Sequence, residues 1–199
     1  MSKAQDTKAR IIEQAATLFN QRGYAGASLS DLMRVTGLQK GGIYNHFRSK
    51  DDLALEAFDF AVGRIQQAFI GALKGKRHAS DRLIALLSVY EGMASDSPIQ
   101  GGCPILNTAV ESDDTHPALR ARAQRAMDEW RNLIRRIINQ GIMRGELRST
   151  VDAETTTTIL IATIEGAVML SKLYGDASYL ERALSHLKAY IQQQLSKPG

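Results

Sequence analysis

Between Gln39 and Lys50 the chain reads QKGGIYNHFRSK. Two glycines stand side by side near the start of a short helical stretch, although each costs a helix about 1 kcal/mol relative to alanine. Around them lie the amides Gln39 and Asn45, the cations Lys40, Arg48 and Lys50, and the rings of Tyr44 and His46. Amides and cations at this density suit hydrogen bonding to phosphates and base edges. Gly41 and Gly42 remove side chains and let a partner's backbone approach. Free N–H groups in a first helical turn can then face a phosphate. The competing reading makes Tyr44 a half-buried aromatic and His46 a surface or capping histidine.

Other residues also have the types for chemistry. Cys103 is the single cysteine, so no internal disulfide can form, and a reducing cytoplasm fits. In the stretch GGCPIL, Pro104 suits the first helical position and Cys103 the N-cap, where a thiol leans towards thiolate. Cys103 is then either a sensor of electrophiles or oxidants, or a small buried residue without reactivity. Glu111, Asp113, Asp114 and His116 have metal-ligating side chains, yet acids just before a helix usually act as caps or dipole partners. No metal and no cofactor is expected. The four histidines are far apart in the chain, and none belongs to a catalytic arrangement. No catalytic residue is expected.

These groups need elements to position them, and the elements read as all-α. Apolar residues at Ile12, Ala15, Ala16 and Phe19 mark one face of a first helix over about 7–22. Gly23 stops it. Ser28 is a candidate N-cap for a second helix to about Val35, with Leu29 and Leu32 inward. A third spans about 39–46. Three helices with tight turns form the helix-turn-helix plan. Ser49 starts a helix reaching about Leu73, long enough to join two modules. Further helices follow over about 80–94, 104–111, 117–143, 152–174 and 176–195. Leu180, Leu184, Leu187 and Ile191 repeat at intervals that make a seam for another helix. A DNA-contacting module over 1–50 is therefore expected before a second module over 51–199, about nine helices in all.

Charge divides along the same line. Residues 1–50 hold eight lysines and arginines against three acids, a net +5, whereas 51–199 hold 17 against 18, a net −1. A basic module beside a near-neutral one suits a polyanion. Hydrophobic content of 44% and charged content of 23% are ordinary for a globular chain. The longest mostly apolar run, Ile159 to Leu170, is short for a membrane span and contains Glu165. The polar start MSKAQDTKAR lacks the apolar centre of a signal peptide. No membrane partner is expected.

Residues 7–55 resemble the DNA-binding domain of the tetracycline-repressor (TetR) family of bacterial regulators. The residues that carry the likeness are Ile12, Ala15, Leu18, Phe19, Gly23 and Tyr24, then Ser28, Leu29 and Leu32. They continue through Gly37, Leu38, Lys40, Gly41, Ile43, Tyr44, His46, Phe47, Ser49, Lys50 and Leu53. The resemblance implies that Ser28, Tyr44, His46 and Lys50 hold phosphates and that Gln39, Lys40 and Asn45 reach base edges. It also implies a homodimer whose last two helices pair as a four-helix bundle, with Ile161, Val168, Leu180, Leu184, Leu187 and Ile191 at the seam. The alternative is that these side chains close the core of one chain. The middle helices are expected to enclose a small-molecule effector pocket. Its candidate lining is Phe58, Phe69, Met93, Cys103, Asn107, Trp130, Glu165 and Met169, although Glu165 also suits the dimer interface.

The function expected is a ligand-responsive DNA-binding transcriptional regulator, a repressor released from a palindromic double-stranded operator in the cytoplasm. An architectural DNA-binding protein without effector, and an enzyme using the helical pocket, are the readings behind it.

Overall fold

Helix boundaries follow local chemistry at most ends. The structure is a computed structural model that describes residues 3–92, 99–112 and 114–197. Its α-helices are α1 Lys3–Arg22, α2 Leu29–Thr36, α3 Lys40–Tyr44, α4 Lys50–Leu73, α5 Ala79–Glu91, α6 Pro104–Ser112, α7 Pro117–Met143, α8 Ala153–Tyr174 and α9 Ser178–Tyr190. A π-helical turn, Ile191–Leu195, closes the last helix. The described residues contain no β-strand, only one antiparallel bridge between Leu147 and Ser196. The all-α expectation holds.

Some ends differ from the sequence reading. α1 begins at Lys3 rather than about Thr7, because the polar residues ahead of Ile11 are good helix formers. α3 ends at Tyr44, and α5 takes His78, not Ser80, as its N-cap: the His78 ring accepts from the Ser80 N–H. The cap expected at Ser49 is present, its hydroxyl accepting from the Asp52 N–H at 3.0 Å.

Packing groups the chain into two units, residues 1–66 with 98–126, and 67–97 with 127–199. The helices α4 and α7 each contribute to both. The border expected at 50/51 falls just inside the start of α4, whereas packing groups the first part of α4, α6 and the start of α7 with α1–α3.

The first unit is built on Ile11, Ala15 and Leu18 of α1, Leu32 of α2, Ile43 of α3, Phe47, and Leu53, Ala57 and Ala61 of α4. Ile11, not Ile12, is the fully buried member of the first pair, and Phe19 is only partly covered. Burying each large apolar side chain contributes about 1.5–3 kcal/mol before entropy is charged against it.

In the second unit Phe69, Tyr90 and Trp130 form a mutual cluster, with Trp130 stacked on Tyr90 at 5.7 Å and on Phe69 at 6.2 Å between centroids. The helix α9 packs on α8 and α5. Leu180, Leu184, Leu187 and Ile191 are at most 4% exposed inside the single chain. Ile161 and Val168 are buried too. The seam expected to meet a second chain is therefore spent on the chain's own core, because α5 and α8 already fill the groove beside α9. By length and hydropathy α8 could cross a membrane, but its apolar positions Leu160, Ile161, Ile164 and Val168 are buried in this unit.

Candidate nucleic-acid interface

A capping box fixes the start of α2. The Ser28 hydroxyl accepts from the Asp31 N–H at 3.1 Å, and the Asp31 carboxylate accepts from the Ser28 N–H at 3.1 Å. Asp31 also pairs with Arg22 and Arg34. Its carboxyl is held well below the usual carboxylate range, first by the Ser28 hydroxyl and then by Arg34. The turn Gly37-Leu38-Gln39 leads into α3, a single short helix seated by Ile43 and Phe47, which are 1% and 2% exposed.

This seating determines what α3 presents. Gln39, Lys40, Gly41 and Asn45 are exposed, while Gly42, Tyr44 and His46 are half-buried. Gln39 is the N-cap residue but its side chain makes no capping bond, so its amide is not consumed by the helix. The two glycines differ. A Cβ on Gly41 would meet nothing within 4 Å, whereas one on Gly42 would touch Leu38 at 3.4 Å. Gly41 is thus the open approach, while a Cβ at Gly42 would make an ordinary contact with Leu38.

Lys50 has another commitment. Its ammonium donates to the Tyr24 carbonyl at 2.5 Å and stands 4.3 Å from the centre of the Tyr24 ring. Burial lowers its pKa. Tyr24 in turn donates its hydroxyl to Asp51 and packs edge-on against His116 at 4.9 Å. Its phenol is pushed up to about 12, mainly by burial and next by the Asp51 carboxylate. The Glu111 carboxylate accepts the backbone N–H groups of Tyr24 and Ala25, each at 2.8 Å. Lys50 and Glu111 together hold the turn that joins α1 to α2. Gly23 adopts φ +76° there, and a Cβ would come within 2.7 Å of Glu111. The positive φ favours glycine there, and a Cβ would also displace the Glu111 carboxylate.

Beneath this turn the first unit contains a cavity of about 260 Å³. Its walls come from α1, α4, α6 and the start of α7, with Phe19, Tyr24, Phe58, Glu111 and His116 among them. Of the expected effector residues, Phe58 and Asn107 line it. Asn107 uses its amide internally, lying 2.9 Å from the Asn20 side-chain oxygen and 2.9 Å from the Gly101 carbonyl. Gly101, at φ +109°, brings that loop so close that a Cβ would meet the Asn20 carbonyl at 2.7 Å. Gly101 thus serves a close approach of loop to helix.

The remaining expected effector residues lie elsewhere. Cys103 is buried at the N-cap position of α6, its carbonyl accepting from the Asn107 N–H, and it is not in the cavity wall. Phe69 and Trp130 belong to the aromatic cluster of the second unit, where they fill space against Tyr90. Glu165 is buried on α8, Met169 on the same helix is 47% exposed, and Met93 lies outside the described residues. The sequence reading weighed Glu111 and His116 as metal candidates or as groups beside a helix start, and Tyr24 only as part of the family likeness. Their partners are far away in the chain, so no local spacing marked them. Among the described residues no group of three or more metal-ligating side chains forms.

A short helix on a three-helix core, displaying amides and a cation around an open glycine, defines a helix-turn-helix DNA-binding regulator. The sequence matches the family described as "Bacterial regulatory proteins, tetR family" over residues 11–57 and "Tetracyclin repressor-like, C-terminal domain" over 79–187. The chain belongs to the TetR family of transcriptional regulators. It is similar to a solved TetR transcriptional regulator from Chloroflexus aurantiacus J-10-FL, 50% identical over 100% of both chains with a TM-score of 0.95. It is also similar to a TetR-family regulator from Cytophaga hutchinsonii, 33% identical over 100% of this chain and 99% of that one, TM-score 0.88. The transcriptional repressor DhaR of Mycobacterium sp. (strain GP1) is 23% identical over 88% of this chain and 87% of its own. These relatives are regulators of transcription, not enzymes, and the helical-pocket enzyme falls away with them.

Proposed function

We propose that the protein is a dimeric repressor that occupies a palindromic operator and leaves it when a small molecule binds. The observation that carries this is the exposed row Gln39, Lys40 and Asn45 around an unobstructed Gly41. Base edges in a major groove about 12 Å wide need such protruding amides and cations, and a bare backbone lets them come near. In this reading Tyr44 and His46 hold phosphates from the rim of α3, whereas the Ser28 hydroxyl already donates to the Asp31 carboxylate at 2.7 Å and serves to fix the start of α2. Lys50 contributes by fixing the turn after α1, because its ammonium is already committed to Tyr24.

A dimer suits the shortness of α3, since one copy reads few base pairs. Two copies related by a two-fold axis would read half-sites about 34 Å apart. The exposed apolar residues of α8, Ile159, Met169, Leu173 and Tyr174, are the surface for that pairing. The buried residues of α9 are not. Response to an effector is supported by the cavity, whose walls include α1 and α4. A ligand that prefers one arrangement of those helices changes DNA affinity by a coupling free energy. The protein acts in the cytoplasm, where the operator is.

Footprinting on its own upstream DNA, followed by compounds that abolish protection, tests the reading. Asn45→Ala is expected to change the preferred sequence at one position of each half-site, at about 1–3 kcal/mol per lost base contact. Uniform weakening on every sequence would remove Asn45 from base reading.

A further inference from the structure

The cavity of the first unit is walled mainly by small and apolar groups. Ala54, Ala57, Phe58 and Ala61 of α4 line it together with Ala16 and Phe19 of α1. At about 260 Å³ it exceeds the ~150 Å³ in which an apolar cavity admits benzene, which leaves room for an alkylbenzene.

Polar side chains also reach the wall, but their hydrogen bonds are made within the chain. The Asn20 amide donates to the Gln100 and Gly102 carbonyls, and the Asn107 amide to the Asn20 side chain and the Gly101 carbonyl. Ser112 and Thr115 donate their hydroxyls to the carbonyls of Thr108 and Glu111. Tyr24 gives its hydroxyl to Asp51. His116 accepts from the Leu119 N–H, and its buried Nε2 lies 3.8 Å from the Asp51 carboxylate. A polar ligand entering here gives up its water and finds few groups to replace it.

Charge narrows the class further. Glu111 is the charged group of the wall, and among the described residues no lysine or arginine lines the cavity. Both Glu111 oxygens accept backbone N–H groups, and the Lys50 ammonium, held at the Tyr24 carbonyl, is its counter-charge. An anion would be repelled with no cation in the wall to receive it. An organic cation would lose its hydration for a carboxylate that already has its partners.

We propose that this cavity receives a small, uncharged, hydrocarbon-like molecule, an alkylbenzene in chemical class, held by burial of apolar surface rather than by a directed polar bond. The proposal rests on the reading of the chain as ligand-responsive. Tyr24, Ala25 and Glu111 belong to the same wall, so the ligand stands beside the bonds that hold the turn after α1.

Cumene, acetophenone, benzoate and phenyltrimethylammonium are close in size and differ in polarity or charge. Binding to the full chain is followed by amide chemical shifts at Ala25, Ala54, Ala57 and Thr108, with operator footprints run in parallel. Cumene is expected to bind best, acetophenone about ten-fold more weakly because its carbonyl is desolvated, and the two ions more weakly still. Thr108→Val removes a hydroxyl from the wall at nearly constant shape and is expected to keep cumene affinity within about two-fold. Thr108→Leu narrows the cavity and is expected to exclude cumene, with unchanged circular dichroism. Acetophenone or either ion binding as tightly as cumene, loss of cumene binding in Thr108→Val, or no shift at the cavity amides would overturn the proposal. Cumene at the cavity without loss of the footprint would uphold the site and refute effector release. Release by compounds that leave the cavity amides unshifted would do the reverse.

Discussion

Two residues isolate what single side chains contribute. Gly41 has nothing within 4 Å of its missing Cβ, so Gly41→Ala should fold at least as well as the wild type. The helix-propensity gain is up to about 1 kcal/mol. If the open backbone serves DNA, the same change should lower operator affinity. Thermal denaturation and a binding isotherm separate the two effects, and unchanged affinity would show that nothing approaches there. Tyr24 bears on pH. Its folded-state pKa of about 12 stands above the ordinary 10.0, so the stability it contributes is complete below pH 10 and lost as pH rises towards 12. Between those values Tyr24→Phe should lose less stability than the wild type, as read by denaturant midpoints across the range. Parallel curves would mean that the phenol is not constrained as its contacts with Asp51 and His116 indicate.

At the scale of elements, the join between α1 and α2 is held from a distance by α6. Glu111 accepts two successive backbone N–H groups, a stronger arrangement than neutral bonds because the acceptor is charged. Glu111→Gln halves the acceptors and removes the charge. The Tyr24 and Ala25 amides should then exchange with solvent faster by about ten-fold or more, while amides within α8 keep their protection. Equal acceleration everywhere would signal global destabilisation, and no acceleration would mean that the turn holds itself. The Asn20–Asn107 pairing ties the same end of α1 to α6 and the loop before it. Two polar ties between α1 and α6 explain why packing assigns α6 to the DNA-binding unit.

For the whole molecule, the proposed dimer needs a partner surface. The apolar face of α9 is buried within its own chain, so in the proposed dimer pairing would fall to the exposed apolar residues of α8. Leu173 is 67% exposed, and a charge there costs one chain little. Leu173→Glu is expected to yield a folded monomer by sedimentation and to lose joint occupancy of the two half-sites. A variant that remains dimeric would move the interface off this face.

The helix-turn-helix was legible because its signals are local. The cap Ser28, the stop at Gly23, the adjacent glycines and the amides of α3 act within a few residues of where they stand, and the fold class followed from apolar periodicity. The seam on α9 was legible as a buried stripe but not as to what buries it. A helix packing on its own chain and one packing on a second copy require the same pattern of leucines. The commitment of Lys50 to Tyr24, the hold of Glu111 on the turn after α1 and the packing of His116 against Tyr24 join positions tens of residues apart. Nothing in the spacing of those residues encodes that meeting. The sequence by itself determined an all-α chain with a helix-turn-helix near its start. Only the tertiary structure decided where the cavity lies and which side chains are free to face a partner, because burial and pairing depend on neighbours that the chain brings together only when folded.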